Sequence, residues 1–199
     1  MAQKPVKETT GERVLRVATE LFAEKGYEAT GVEELSKSTG LGRGALYYHI
    51  KNKQQLLLNI ALRLLENANR EARRILASGG TAEERLHRMA EHLLTDLSTN
   101  RSAWITSMRD WQALDEPYRT HVGHLRNEYE QYWQALFDEG AEAGLFHPVH
   151  PMQRRAIVGM FTTSYRWIEP SGSLSPKQIS ELYVSLFLDG LRKRPSEQA

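Results

Sequence analysis

Helical periodicity runs through nearly the whole chain, and nowhere do apolar and polar residues alternate long enough to make a half-buried strand. That pattern restricts the fold to the all-α class. At 199 residues and 40% hydrophobic content the chain can bury a core of its own, enough for one domain or two small ones. The absence of cysteine excludes disulfides, thiolate metal sites and cysteine nucleophiles. The N-terminus reads Met1-Ala2-Gln3-Lys4-Pro5-Val6-Lys7, without the apolar run of a signal peptide, and no stretch approaches the roughly 18 apolar residues of a membrane span. A cytoplasmic protein with no membrane partner is expected.

Capping signals and breakers divide the periodic stretches into about nine helices. The first opens at a capping box, Thr9 with Glu12, continues through Val14, Leu15, Ala18, Leu21 and Phe22 on one face, and stops at Gly26 in a left-handed cap. A short helix over about 32–39 and another over about 43–49 are joined by Gly40-Leu41-Gly42, a turn in which Leu41 can plug the angle between them. Two short helices around a glycine-containing turn make a helix-turn-helix. Asn52 with Gln55 caps a long connecting helix over about 52–77, and Thr81 with Glu84 caps the next one, reaching about residue 98. Further helices are expected over about 101–114, 117–143, 152–168 and 176–194. The expected organisation is a three-helix head over 1–53 and a helical bundle over 54–199.

The formal net charge of +1 says little, but its distribution is informative. Between Leu35 and Leu65 the chain carries Lys37, Arg43, Lys51, Lys53 and Arg63 and no Asp or Glu. A cation field without counter-charges suits a polyanion such as the phosphate backbone. Within it, Arg43 opens the second helix of the motif, where a guanidinium can fork onto the O6 and N7 of guanine. Gly42 and Gly44 let the backbone approach phosphates, and the helix N-terminus adds its positive end. Tyr47 and His49 offer phosphate hydrogen bonds, Tyr48 packs on a thymine methyl or sugar, and Lys53 sits against the DNA backbone from the far side. Arg43 and Tyr48 read sequence while the others position the helix.

The stretch Thr30 to Lys53, and above all Gly44-Ala45-Leu46-Tyr47 with His49 and Lys53, resembles the head of the TetR family of ligand-responsive repressors. The match is clear over about residues 10 to 60. It places Thr30, Gly42, Arg43, Gly44, Ala45, Tyr47, Tyr48, His49 and Lys53 at the DNA. Gly31 and Gly42 depart from the Ser or Thr that the family more often has as helix caps, and Ile50 replaces a usual Phe; glycine is a tolerable cap, so affinity is lowered and function kept.

All four tryptophans follow residue 100. Trp104, Met108 and Trp111 share one helix face, Tyr129, Trp133 and Phe137 share another, and Phe161, Tyr165, Arg166 and Trp167 cluster later. Each aromatic taken singly is more simply a core residue, but the resemblance implies a small-molecule effector in this region. Trp104, Met108, Trp111, Trp133, Phe161, Tyr165, Arg166 and Trp167 are therefore the candidate ligand-binding set. The run Arg166 to Leu174 is similar to a helix-end motif in the branch of the family that controls fatty-acid and steroid breakdown through acyl-CoA thioesters, which suggests an acyl-CoA or an aromatic acid. Ile157, Met160, Ile179, Leu182, Tyr183, Leu186 and Phe187 carry more apolar surface than a monomer edge, and the resemblance implies a homodimer built from these last two helices, reading a palindromic double-stranded operator.

Enzyme readings find little footing. His121 and His124 stand one turn apart without a third ligand, His87 and His92 are wrongly spaced for a zinc helix, and His147 and His150 flank Pro148. No metal or cofactor is expected, and there is no nucleophile elbow or phosphate-cradling loop. The alternatives are a small all-α enzyme without DNA binding and a helical protein-interaction adaptor. A steep negative dependence of DNA affinity on salt separates the regulator from both.

Overall fold

The computed structural model describes residues 8–169 and 172–191, and every described regular element is helical. The chain forms α1 (Thr10–Lys25), α2 (Val32–Thr39), α3 (Arg43–His49), α4 (Lys53–Leu76), α5 (Ala82–Thr99), α6 (Arg101–Asp110), α7 (Tyr118–Glu142), α8 (Pro151–Thr162) and α9 (Pro176–Leu191). Pro170, Ser171 and the expected extension of the last helix to Arg194 lie outside the described residues. Two helices are shorter than their periodicity suggests. After Asp110 and after Thr162 the chain tightens into 3₁₀ turns, Trp111–Ala113 and Thr163–Arg166, which keep the spacing but not the α ladder.

The described residues fall into two compact units, and the division is not a single cut along the chain. The first takes residues up to Leu64 together with Ser102–Val122; the second takes Leu65–Arg101 and the described residues from Gly123 onward.

In the first unit, the α1 capping box forms as the sequence indicates: the Thr9 N–H donates to the Glu12 carboxylate at 2.8 Å and the Glu12 N–H donates to Thr9 Oγ1 at 3.3 Å. Val14, Ala18 and Phe22 are buried along α1. Gly26 ends it at φ 96, ψ 150, a positive φ as expected but with an extended ψ in place of the left-handed cap. The true left-handed residue is Gly40 at φ 69, which turns the chain sharply from α2 towards α3. Within α3 only Leu46 is buried, so this one side chain, contributing about 1.5–3 kcal/mol by full burial, seats the helix. Asn52 Oδ1 accepts the Gln55 N–H at 2.8 Å and starts α4.

The second unit is built around Leu86, Met89, Leu93, Trp133, Phe137, Phe146 and Phe161, all fully buried. Thr81 and Glu84 form the reciprocal cap of α5. His150 caps α8, its Nδ1 accepting the Met152 N–H at 3.2 Å, so this histidine has a structural use. A Cβ on Gly140 would run into the ring of Phe146, which explains why the α7 helix carries its weakest helix former at that point. The few charges brought inside are paired: Arg154 donates to Glu130 at 3.0 Å, and Arg85 donates to the Leu76 carbonyl at 2.9 Å while ion-paired to Glu139.

Candidate functional site

Seven residues make α3, and six of them face solvent. Tyr48 is 86% exposed, Tyr47 is 42% exposed, and Arg43, Gly44, Ala45 and His49 stand out beside them. A tyrosine so exposed on a short, firmly seated helix is apolar surface awaiting a partner. The Tyr48 and His49 rings meet edge to face at 5.1 Å, which fixes the outer end of this surface. At its inner end no side chain caps the helix, because Gly42 has none, so the amides of the first turn point outward with the positive end of the helix dipole. The neighbouring cations are neutralised, Lys37 of α2 by Glu33 at 3.3 Å and Lys25 at the end of α1 by Glu34. Arg43 has no ion-pair partner among the described residues. The positive field therefore concentrates at the start of α3.

Two residues assigned to the DNA from sequence are turned inward. Thr30 is fully buried and its hydroxyl donates to the Gly26 carbonyl at 2.8 Å, closing the α1–α2 loop. Lys53 points its ammonium at the same loop, donating to the carbonyls of Tyr27 at 2.8 Å, Thr30 at 3.3 Å and Glu28 at 3.5 Å, and lying 4.1 Å from the Tyr27 ring centroid. All three of its protons have acceptors inside the head, so neither residue presents its polar group to DNA here.

The loop is held from another direction that the sequence did not signal. Arg109, near the end of α6, donates to the Ala23 carbonyl at 3.2 Å and to the Phe22 carbonyl, which also accepts the Gly26 N–H at 2.9 Å, in the last turn of α1. Asp110 accepts the Tyr27 N–H at 3.2 Å. Gln54 bridges in parallel, donating to the Ala113 carbonyl at 2.8 Å and accepting the Asp115 N–H at 3.2 Å. Burial raises the Tyr27 phenol to about 12, so it stays neutral under Lys53.

The candidate effector residues divide between the units. Trp104, Met108 and Trp111 belong to the first, with Trp104 buried. Trp133 and Phe161 belong to the second, with ring centroids 5.3 Å apart, and an aromatic series continues through Tyr183 at 5.2 Å from Phe161 to Trp167 at 6.1 Å from Tyr183. The series thus leads from a fully buried indole to one that is 53% exposed. Arg166 is exposed beside it, its Nε 3.4 Å from the Tyr165 hydroxyl. A separate groove of about 310 Å³, lined by Arg74, Ile75, Ser78, Arg88, Glu91, His92 and Thr95, contains none of these aromatics.

Of the expected interface residues, Ile179 and Phe187 are drawn into the core of the second unit, where Phe187 meets Phe137 at 5.9 Å. Correcting for that, the free apolar face of α9 is Leu182, 58% exposed, and Leu186, 68% exposed, one helical turn apart. Ile157, Met160 and Tyr183 are half-buried.

Comparison with known proteins places this architecture. Residues 79–191 match the family model described as Tetracyclin repressor-like, C-terminal domain, and residues 14–60 match that of Bacterial regulatory proteins, tetR family. The chain belongs to the TetR family. It is a DNA-binding transcription regulator. Among relatives, it is 26% identical to the HTH-type transcriptional repressor KstR2 of Rhodococcus jostii (strain RHA1), over 96% of this chain and 98% of the relative. The structure of the TetR family regulator PfmR from Thermus thermophilus superposes with a TM-score of 0.83 at 30% identity, covering 91% of this chain and 100% of PfmR. AibR, solved in complex with isovaleryl coenzyme A and operator DNA, shares the fold with a TM-score of 0.80 at 24% identity, covering 89% of this chain and 97% of AibR. Among the described residues no helix is long and apolar enough to cross a membrane.

Proposed function

We propose that this TetR-family regulator is a homodimeric repressor that holds a palindromic operator and leaves it when an acyl-CoA effector binds the second unit. The carrying observation is the outer surface of α3, where Arg43, Tyr47 and Tyr48 are presented around an uncapped helix N-terminus. Arg43 supplies base readout, Tyr48 an apolar contact, and the Gly44 and Ala45 amides phosphate contacts.

Two such heads must stand about 34–36 Å apart to enter successive major grooves on one face of the duplex. The exposed Leu182 and Leu186, one helical turn apart on α9, form a joined apolar patch that supports pairing through that helix. Repression is supported by the name of the KstR2 relative, and an acyl-CoA effector by the isovaleryl coenzyme A bound to AibR. Trp133, Phe161, Tyr165, Arg166 and Trp167 are the residues assigned to it, the buried rings meeting the acyl part and Arg166 with Trp167 the anionic part. The role requires no catalytic group, and it is exercised where the chromosome is, in the cytoplasm.

The test is fluorescence anisotropy with duplexes selected from a random pool. A palindrome should emerge, bind with a steep negative salt dependence, and be released by acyl-CoAs of graded chain length. Selection of no consensus, with equal affinity for all duplexes, overturns the operator reading; a consensus indifferent to every acyl-CoA overturns the effector reading alone.

A further inference from the structure

Between α2 and α3 the chain has only Gly40, Leu41 and Gly42, and the two glycines carry no side chain that could fix the turn. Leu41 stands between them, with both of its backbone polar groups held by one residue. Its N–H donates to the Ser36 carbonyl at 3.2 Å, and its own carbonyl accepts the Ser36 hydroxyl at 2.5 Å. The first of these, with the Gly40 N–H donating to the Lys37 carbonyl at 3.2 Å, is the backbone cap that ends α2 around the left-handed Gly40. The second comes from a side chain and reaches past the cap. It fixes the peptide plane that joins Leu41 to Gly42.

That plane is the entry to α3. Gly42 is the N-cap of α3 and its carbonyl accepts the Leu46 N–H at 2.9 Å, but it has no side chain with which to close the first turn. Arg43 follows it directly. Leu46, the one buried side chain of α3, anchors the helix at its middle and leaves the direction of its N-terminal end to the turn. A guanidinium forked onto guanine tolerates little displacement, since recognition groups must be held within about 0.5 Å of their working geometry. A hydroxyl that locks the peptide just before Arg43 therefore bears on how Arg43 reads. Helix formation itself does not call for a serine here: Ser36 lies inside α2, where alanine is the better helix former.

We propose that Ser36 is a positioning residue for operator recognition, its hydroxyl setting the Leu41–Gly42 peptide so that Arg43 meets its base pair in register. This rests on the reading of Arg43 as a base contact given above and adds the residue that aims it.

Ser36→Ala, Ser36→Thr, Arg43→Ala and the Ser36→Ala/Arg43→Ala double variant of the full chain are compared by anisotropy on the selected palindrome and on random duplex. Ser36→Ala should bind the palindrome about tenfold more weakly and random duplex nearly as well as the wild type does. Ser36→Thr keeps the hydroxyl and should match the wild type. In the Arg43→Ala background the loss caused by Ser36→Ala should vanish, because no fork is left to aim. Thermal melting should change little, the better helix former offsetting the lost bond; if it falls, the cycle still decides, since that fall is common to both backgrounds. Unchanged palindrome affinity, an equal loss on random duplex, or an equal loss with and without Arg43 overturns the inference. If the wild type selects no consensus, the operator reading fails and takes this inference with it; a clear consensus without coupling between Ser36 and Arg43 removes this inference alone.

Discussion

The carboxylate of Asp110 accepts the backbone N–H of Tyr27 at 3.2 Å across 83 positions of sequence. Its neighbour Arg109 takes the Phe22 and Ala23 carbonyls, so a helix from beyond residue 100 completes the C-terminal end of the first one. Asp110 is mostly buried, its side chain 13% exposed, and removing it orphans the Tyr27 amide and one side of the Arg109 guanidinium. Asp110→Ala should therefore destabilise the protein by about 1–3 kcal/mol in chemical denaturation. A midpoint equal to the wild type would mean that the contact contributes nothing to the head.

Lys53 yields a prediction opposite to the one its sequence position suggests. As a phosphate contact it would take about one unit from the salt dependence of DNA binding when replaced. With its ammonium on three loop carbonyls, Lys53→Ala should leave that slope unchanged and lower stability by about 1–3 kcal/mol. A reduced slope with unchanged stability would return Lys53 to the DNA.

The contrast marks where the sequence was legible. Thr9 with Glu12, Thr81 with Glu84, and Asn52 with Gln55 were readable because a cap and its target lie within one turn. The helix-turn-helix was readable for the same reason, its glycine turn and short helices being local. The inward turn of Thr30 and Lys53 was not legible because residue type announces a hydrogen-bonding capacity but not its direction, and their acceptors belong to a loop whose path is set by packing. Arg109 and Asp110 could not be found at all, since no periodicity links them to residues 22–27. Nor could Ser102–Val122 be assigned to the compact unit that holds the head, because helical patterning reports that a face is buried and not against what.

Arg43 is the sharpest test of base readout. Arg43→Ala should lower affinity for the selected palindrome by about 1–3 kcal/mol and affect random duplex DNA less. Equal loss on both would make Arg43 a phosphate contact.

On α9, Leu186→Glu puts a charge on the most exposed apolar side chain of that helix while leaving the core residues Val184, Phe187 and Leu188 in place. Native mass spectrometry should then show monomers at concentrations where the wild type is dimeric, and operator affinity should fall because two half-sites are no longer read together. A variant that stays dimeric would move the interface off this face.

The final prediction concerns how the two units communicate. The chain passes between them at 64/65, 101/102 and 122/123, and these crossings lie inside α4, α6 and α7. Of the three helices, α6 ends on the Arg109–Asp110 grip, so a displacement of α6 on effector binding would be delivered to the end of α1 and the loop that Thr30 and Lys53 close. An effector shifts DNA affinity only by its differential affinity for the two conformations, typically about 1–3 kcal/mol, and DNA must weaken the effector by the same factor. Arg109→Ala removes the donors to Phe22 and Ala23 without touching Trp133, Phe161 or Trp167. It should leave the calorimetric Kd of hexanoyl-CoA near the wild-type value, while the ratio of operator affinities without and with saturating hexanoyl-CoA collapses towards one. Thermal melting controls for a merely unstable head. A folded Arg109→Ala variant with the wild-type affinity ratio would show that coupling runs through α4 or α7 and not through this grip.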